Sequence, residues 1–210
     1  MGIGRWVTAG VVTAVALFVA CGGDGAPRVQ PGQDQLRAML LTAEDLPAGF
    51  TAGKVHSVIP VDTPRSPDEI GNLRVQLESA QPPPGPGDIG CVTSYVALLS
   101  SAERASDAVE RAASDFGLAP DVPGTTERLD PPDIGDETAA VFVESPVYGL
   151  GSCGTRRVTG LTEVVFSQGP TFSQVSVFTA EGKPPSDRVW EIARKQLDRV
   201  ERALGTVTPE

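Results

Sequence analysis

Histidine, cysteine and long hydrophobic segments are all scarce in this chain of 210 residues. Its single histidine, His56, excludes most zinc sites, and neither a G-x-S-x-G nor an H-E-x-x-H motif occurs. A strand histidine is more often exposed or hydrogen-bonded than a general base. The sequence therefore predicts a non-enzymatic protein with no catalytic residues, metal or cofactor. Paired carboxylates that meet only on folding leave glycoside hydrolysis as the open alternative.

Basic residues are also in deficit, since 17 lysines and arginines stand against 27 acidic residues. The formal net charge is −10 at pH 7. Nucleic acid and anionic lipid headgroups bind to basic surfaces, so neither is expected as a partner.

The apolar segment near the N-terminus is too short for a membrane span. It runs from Trp6 to Ala20, follows Arg5, and ends directly before Cys21. As a helix it would span about 22 Å, against about 30 Å for the hydrocarbon core. A basic residue, a short apolar region and small residues before the end form the layout of a secretory signal. We therefore predict a signal peptide over residues 1–20.

The residues before Cys21 resemble the lipobox of bacterial lipoproteins, although Phe18 stands where leucine is more usual. The resemblance implies a diacylglycerol thioether at Cys21, which would anchor the protein on the extracytoplasmic face of the cell membrane. An ordinary cleaved signal and an uncleaved anchor are the alternatives. Glycine and proline predict a flexible linker, so 21–33 form the lipidated N-terminus and linker. Residues 34–210 have the size and composition of one domain.

Two cysteines remain once Cys21 is assigned to lipid, and export places them where disulfides persist. A bridge between Cys91 and Cys153 would close a loop of about 63 residues and contribute roughly 4 kcal/mol in the chain-entropy model. The chain has no C-x-x-C motif to indicate a redox site. We therefore predict a structural disulfide.

Hydrophobic spacing and capping residues predict four helices. They cover residues 34–41, Ser66 to the proline run at 82–87, Ser101 to about Phe116, and Ser186 to about Leu204. The helix predicted from Ser66 depends on an N-cap serine, a proline at the first helical position, and apolar residues at 70, 73 and 77. The last helix has an apolar face suited to packing on a sheet, with a membrane-surface helix as the alternative.

Alternating and β-branched segments predict strands at 54–59, 92–99, 139–144, 156–166 and 172–179. The last two would form a hairpin through residues 168–170, and Gly160 indicates a bulge or bend. Residues 117–137 read as a long loop. Its carboxylates lack the spacing of a calcium loop and are expected to be solvated: Asp130, Asp133, Asp136 and Glu137. The predicted class is α+β, with an antiparallel sheet of about four to five strands, flanking helices and a long C-terminal amphipathic helix.

Four parts of the chain carry a family resemblance: Cys21, the segment 40–50, the segment 134–137, and the hairpin and final helix over 164–204. Together they resemble the small secreted lipoproteins of actinobacteria, particularly mycobacteria, whose domain is similar to the extracellular sensor domain of the kinase PknH. The resemblance implies a curved antiparallel sheet and helices around a cleft, stabilised by disulfides. No catalytic residues carry over, and without a kinase segment no direct signalling is implied.

These features predict a lipid-anchored, extracytoplasmic ligand-binding or accessory domain of the cell envelope, sensor-like and non-enzymatic. Its expected partners are the membrane through the N-terminal lipid, a small hydrophobic or cell-wall ligand, and an envelope protein. A lipid or glycolipid carrier of the cell wall and a scaffold in an envelope protein complex are the alternatives.

Overall fold

The computed structural model describes residues 33–55, 68–80, 85, 87–116, 122–146 and 158–205. Within these ranges the helices are α1 (Gln33–Met39), α2 (Ala102–Asp115) and α3 (Ser186–Gly205), with a 3-10 turn at Ala43–Asp45. The strands are β1 (Phe50–Ala52), β2 (Glu69–Ser79), β3 (Ile89–Leu99), β4 (Thr125–Leu129), β5 (Glu137–Glu144), β6 (Gly160–Gln168) and β7 (Thr171–Thr179). All pairings are antiparallel, in the order β1-β2-β3-β7-β6-β5-β4.

The α+β class is confirmed, but the sheet has seven strands and not four to five. One reason is that the helix predicted from Ser66 is wrong, because strand β2 occupies that part of the chain. Leu73 and Leu77 are four residues apart, a spacing that places them on one face of either a helix or a strand. Val75 is buried between them and Ile70 is 41% exposed, which is a period of two. Pairing along β3 decides in favour of strand β2.

The loop predicted over 117–137 is also wrong in part, because β4 pairs there with β5. Its side chains are almost all exposed, so no hydrophobic alternation marks this edge strand. The strand predicted at 54–59 is wrong at residues 54 and 55, which are not in a strand, and residues 56–59 fall outside the described residues. Strand β1 lies earlier in the chain.

Elements that depend on local signals are confirmed. Helices α1, α2 and α3 lie where they were predicted, and the hydroxyl of Ser101 accepts the capping hydrogen bond from the Arg104 N–H. The hairpin of β6 and β7 is also confirmed. Gly160 forms no bulge, because it pairs in register with Thr179. A Cβ at Gly160 would lie closer than 3.0 Å to the Thr179 Oγ1 atom, so close approach is what requires glycine there.

The two faces of the sheet carry different helices. Helices α1 and α3 pack on the first face, over the main hydrophobic core. Helix α2 packs on the second face against β5, β6 and β7, where the Ser106 hydroxyl donates to Glu137. Among the described residues, no helix is long and apolar enough to cross a bilayer.

Gln196 is a polar residue in the otherwise apolar face of α3. It is fully buried, and its Oε1 accepts a hydrogen bond from the Ser94 hydroxyl at 2.9 Å. Its Nε2 donates to the Tyr95 carbonyl at 3.1 Å, while the Leu41 N–H donates to Ser94 Oγ at 3.1 Å. This network connects α3, β3 and the segment after α1.

Asp45 connects the same segment to α3 through an ion pair. Its carboxylate accepts from the Thr42 N–H at 2.7 Å and from Arg199 Nε at 2.6 Å. The side chains of Asp45 and Arg199 are only 15% and 19% exposed. Burial acts to raise the pKa of Asp45, but the Thr42 hydrogen bonds and the Arg199 guanidinium outweigh it, so the pKa is lowered.

Asp45→Asn is expected to reduce the free energy of unfolding by about 1–3 kcal/mol at pH 7, because Arg199 loses its charged partner. A carboxyl pKa that is lowered in the folded state adds stability above the ordinary value of 3.8 and loses it as pH falls through the folded value. The difference between wild type and variant should therefore be full at neutral pH and shrink below about pH 4. Urea unfolding across this range measures it, and a difference independent of pH would contradict the assignment.

Candidate functional site

A groove on the second face of the sheet is the candidate site. Alternate residues of β2, β3 and β7 form most of its lining, because side chains alternate between the faces of a strand, and α2 completes one half. A cavity of about 350 Å³ is lined by Arg74, Thr93, Tyr95, Phe172, Gln174 and Ser176. A cavity of about 190 Å³ beside α2 shares Tyr95 and Phe172 with it. We name the two cavities together the β-face groove.

The rings of Tyr95 and Phe172 form the wall common to both halves of the groove. Their centroids are 6.2 Å apart and their planes meet at 66°, an edge-to-face pair. Burial, and to a lesser extent the carboxylate of Glu69, raise the pKa of the Tyr95 phenol. The phenol therefore stays protonated at neutral pH and keeps its O–H donor.

Gln174 lines the groove on the side of β6 and is hydrogen-bonded to Glu163, which lies outside the lining. The Gln174 Nε2 donates to Glu163 Oε1 at 2.8 Å and more weakly to the Ser176 hydroxyl oxygen at 3.4 Å. Burial raises the pKa of Glu163, and the positive charge of Arg74 offsets this only in part. A carboxyl group is thus held in a place where its ionised form is disfavoured.

Arg74 and Thr93 are donors in the larger half of the groove that lack a hydrogen-bond partner. Thr93 is 3% exposed, and its Oγ1 atom has no partner. Within the described part of the chain, the Arg74 guanidinium makes no hydrogen bond or close ion pair, and it interacts with Glu163 through charge alone. Other buried hydroxyls without a partner are not part of the groove lining: Thr162, Ser167, Thr171 and Ser173. Because buried polar groups are normally paired, the groove offers unused donors to a ligand.

Most residues that the sequence singled out lie elsewhere. Cys91 is fully buried on the second face, in a cluster with Val158, Leu161 and Phe178. Cys153, Cys21 and His56 lie outside the described residues. Lipidation at Cys21 and the bridge between Cys91 and Cys153 therefore stay predictions.

Two of the carboxylates at 130–137 have structural roles, where a solvated turn was expected. Asp136 accepts a hydrogen bond from the Gly169 N–H at 2.7 Å, and Glu137 accepts one from Ser106. Across the described ranges, histidines, cysteines and carboxylates form no group of three or more that could hold a metal ion.

The groove residues were missed by the sequence analysis because β2 was predicted to be a helix. That assignment removed the alternation that places Arg74 on the same face as Gln76 and Glu78. Gln174 and Ser176 alternate with Val175 and Val177 along β7, and this alternation was a usable signal of a polar face. The strand that lies beside β7 could not be predicted from the sequence, because β3 precedes β7 by more than seventy residues.

No family model and no curated protein matches the chain. Among solved structures, the chain is similar in fold to the extracellular domain of PknH from Mycobacterium tuberculosis. The sequences are 12% identical, the match covers 81% of this chain and 97% of that domain, and the TM-score is 0.57. The resemblance to that sensor domain is therefore confirmed at the level of the fold.

Proposed function

We propose that this domain is a non-enzymatic, ligand-binding, sensor-like module of the cell envelope, anchored through lipid at Cys21 on the extracytoplasmic face of the cell membrane. The observation that carries the proposal is the β-face groove, in which the unpartnered donors of Arg74 and Thr93 lie beside the aromatic pair. A few convergent polar groups among apolar walls are typical of small-molecule sites. The fold of PknH, whose matching domain is extracellular, supports the localisation.

Binding is favoured over catalysis because the carboxyl groups of the groove already have partners. Asp68 pairs with Arg104, Glu69 accepts from Asn72, and Glu163 accepts from Gln174. A glycosidase needs two opposed carboxyl groups of different protonation, and a hydroxyl nucleophile needs an adjacent base. The described groove residues favour neither arrangement.

A lipid or glycolipid carrier is the alternative, and the size of the groove weighs against it. Its two halves enclose about 350 Å³ and about 190 Å³. Small-molecule sites measure about 300–1,000 Å³, so the groove suits one compact ligand better than several acyl chains.

Native mass spectrometry of the full-length protein, extracted from its host in mild detergent, tests the proposal. We expect wild type to retain a small molecule of defined mass. Ser176→Phe should lose it, because a phenyl ring would fill the larger half of the groove, while Arg202→Gln on exposed α3 should keep it. Circular dichroism confirms that both variants fold. An empty wild type would contradict the proposal, a lipid mass would support the carrier, and a stoichiometric protein would support the scaffold.

A further inference from the structure

The ligand class of the β-face groove follows from its unused donors, on the basis of the proposed function. We propose that the ligand is a small organic carboxylate, whose carboxylate group binds Arg74 and Thr93 and whose planar apolar body lies against Tyr95 and Phe172.

Arg74 supplies the positive charge. It is the charged residue among those that line the larger half of the groove, and its guanidinium carries five N–H donors. These donors form a planar fork that matches a carboxylate in bidentate geometry. In this acidic protein, an arginine at the centre of a strand and without a close ion-pair partner is a point of attraction for an anion.

Thr93 supplies a second donor next to Arg74. Arg74 is paired in register with Tyr95, so Thr93 is its diagonal neighbour on the same face, about 7–8 Å away and within reach of the long arginine side chain. The buried Thr93 hydroxyl has no acceptor. A carboxylate oxygen satisfies both groups, whereas a cationic or fully apolar ligand would leave both desolvated and unpaired.

A singly charged ligand matches the charge of the larger half. Arg74 is the cationic side chain in its lining, and it interacts electrostatically with Glu163 beyond Gln174. One guanidinium can neutralise a carboxylate monoanion, but it leaves one charge of a phosphate dianion uncompensated. The groove is therefore expected to prefer a carboxylate to a phosphate monoester.

The body of the ligand is defined by the aromatic wall. Tyr95 and Phe172 present ring surface to both halves of the groove. The half beside α2 continues with the apolar Ala97, Leu99 and Ala108, and the charged side chains of Asp68, Glu69, Arg104 and Arg111 complete its lining. A flat apolar group attached to the carboxylate would bury its surface there and pair with the rings in stacked or edge geometry.

Isothermal titration calorimetry of the purified full-length protein with trans-cinnamate, benzoate and indole-3-acetate tests the inference. We expect at least one of the three to bind, and its amide and phenyl phosphate to bind at least about tenfold more weakly, a difference of about 1.4 kcal/mol. Arg74→Gln should weaken binding of the carboxylate at least about tenfold, and the isosteric Thr93→Val about threefold.

Glu163→Gln is a variant for which we expect affinity to stay the same or to rise, and not to fall. It removes a negative charge near Arg74 but keeps an acceptor for Gln174, so the carboxylate should bind as tightly as to wild type or more tightly. Arg202→Gln should leave affinity unchanged.

The inference is overturned if none of the three carboxylates binds at up to about 10 mM, if the amide binds equally well, or if Arg74→Gln and Thr93→Val are both neutral. If native mass spectrometry then shows a ligand of another class, the proposed ligand-binding function stands and only the inferred carboxylate class is rejected. If the protein is empty, the proposed function and the inference are both rejected.

Discussion

Replacing Gly135 with alanine is expected to reduce the free energy of unfolding by about 2–5 kcal/mol. Gly135 has φ +74°, a left-handed conformation that costs other residues roughly 1–2 kcal/mol. A Cβ would also lie closer than 3.0 Å to the carbonyl oxygen of Ser167, and a backbone atom of a central strand pair has little freedom to move. Relief of such a clash by shifting the backbone typically costs a further 1–3 kcal/mol, as in overpacked cores.

The position is sensitive because its neighbours join β5 to the hairpin of β6 and β7. Ile134 is fully buried, and the Asp136 N–H donates to the Ser167 carbonyl at 2.8 Å. The Asp136 carboxylate accepts from the Gly169 N–H in the hairpin turn. A shift of the Ser167 carbonyl would therefore disturb both hydrogen bonds together.

Urea unfolding of Gly135→Ala and Gly182→Ala separates the two causes. Gly182 has a similar φ of +67° but open space where a Cβ would stand, so it should lose only about 1–2 kcal/mol. Thermal midpoints should follow, by about 2–4 °C per kcal/mol for a domain of this size. Equal losses in the two variants would show that the clash with Ser167 contributes nothing.

Removal of the disulfide predicted between Cys91 and Cys153 is expected to reduce stability by about 2–5 kcal/mol. Cys91 has no exposed surface and packs with Val158, Leu161 and Phe178. Cys91→Ala therefore changes core packing as well as any crosslink, while Cys153→Ser changes the crosslink from the other end of the loop.

The double-mutant cycle distinguishes a bridge from packing alone. With a bridge, each single variant loses most of the stabilisation and the double variant loses little more, because the second change has no bond left to remove. Non-reducing peptide mapping should link the two cysteine fragments, and reductant should weaken only wild type. Free thiols at both positions, or a neutral Cys153→Ser variant, would remove the prediction.

The described segments that carry the family resemblance prove to have structural roles. In the segment 40–50, Asp45 forms the ion pair with Arg199. In the segment 134–137, Gly135 and Asp136 hold the hairpin. These residues of the segments 40–50 and 134–137 hold elements of the fold together and lie apart from the lining of the β-face groove, whereas the segment 164–204 supplies Phe172, Gln174 and Ser176 to that lining. The first two segments therefore indicate the fold but not the ligand.

Helices α2 and α3 and the final hairpin could be predicted because their signals are local. A capping serine, an apolar stripe and a glycine-proline turn act within a few residues. Strand β2 could not, because the spacing of Leu73 and Leu77 satisfies both periods and only pairing with β3 decides between them. The exposed edge strand β4 had no hydrophobic pattern to reveal it.

The sequence alone establishes the acidic charge, the scarcity of histidine and cysteine, the apolar faces of the helices, and the leader pattern that ends at Cys21. The contacts between polar residues in the groove depend on the tertiary structure. Arg74 and Tyr95 come from β2 and β3, Glu163 and Gln174 come from the β6–β7 hairpin, and the pairing of β3 with β7 makes these two distant parts of the chain neighbours. Cross-strand contacts depend on strand order and register, which are set when the apolar faces pack together and not by the local sequence around each residue.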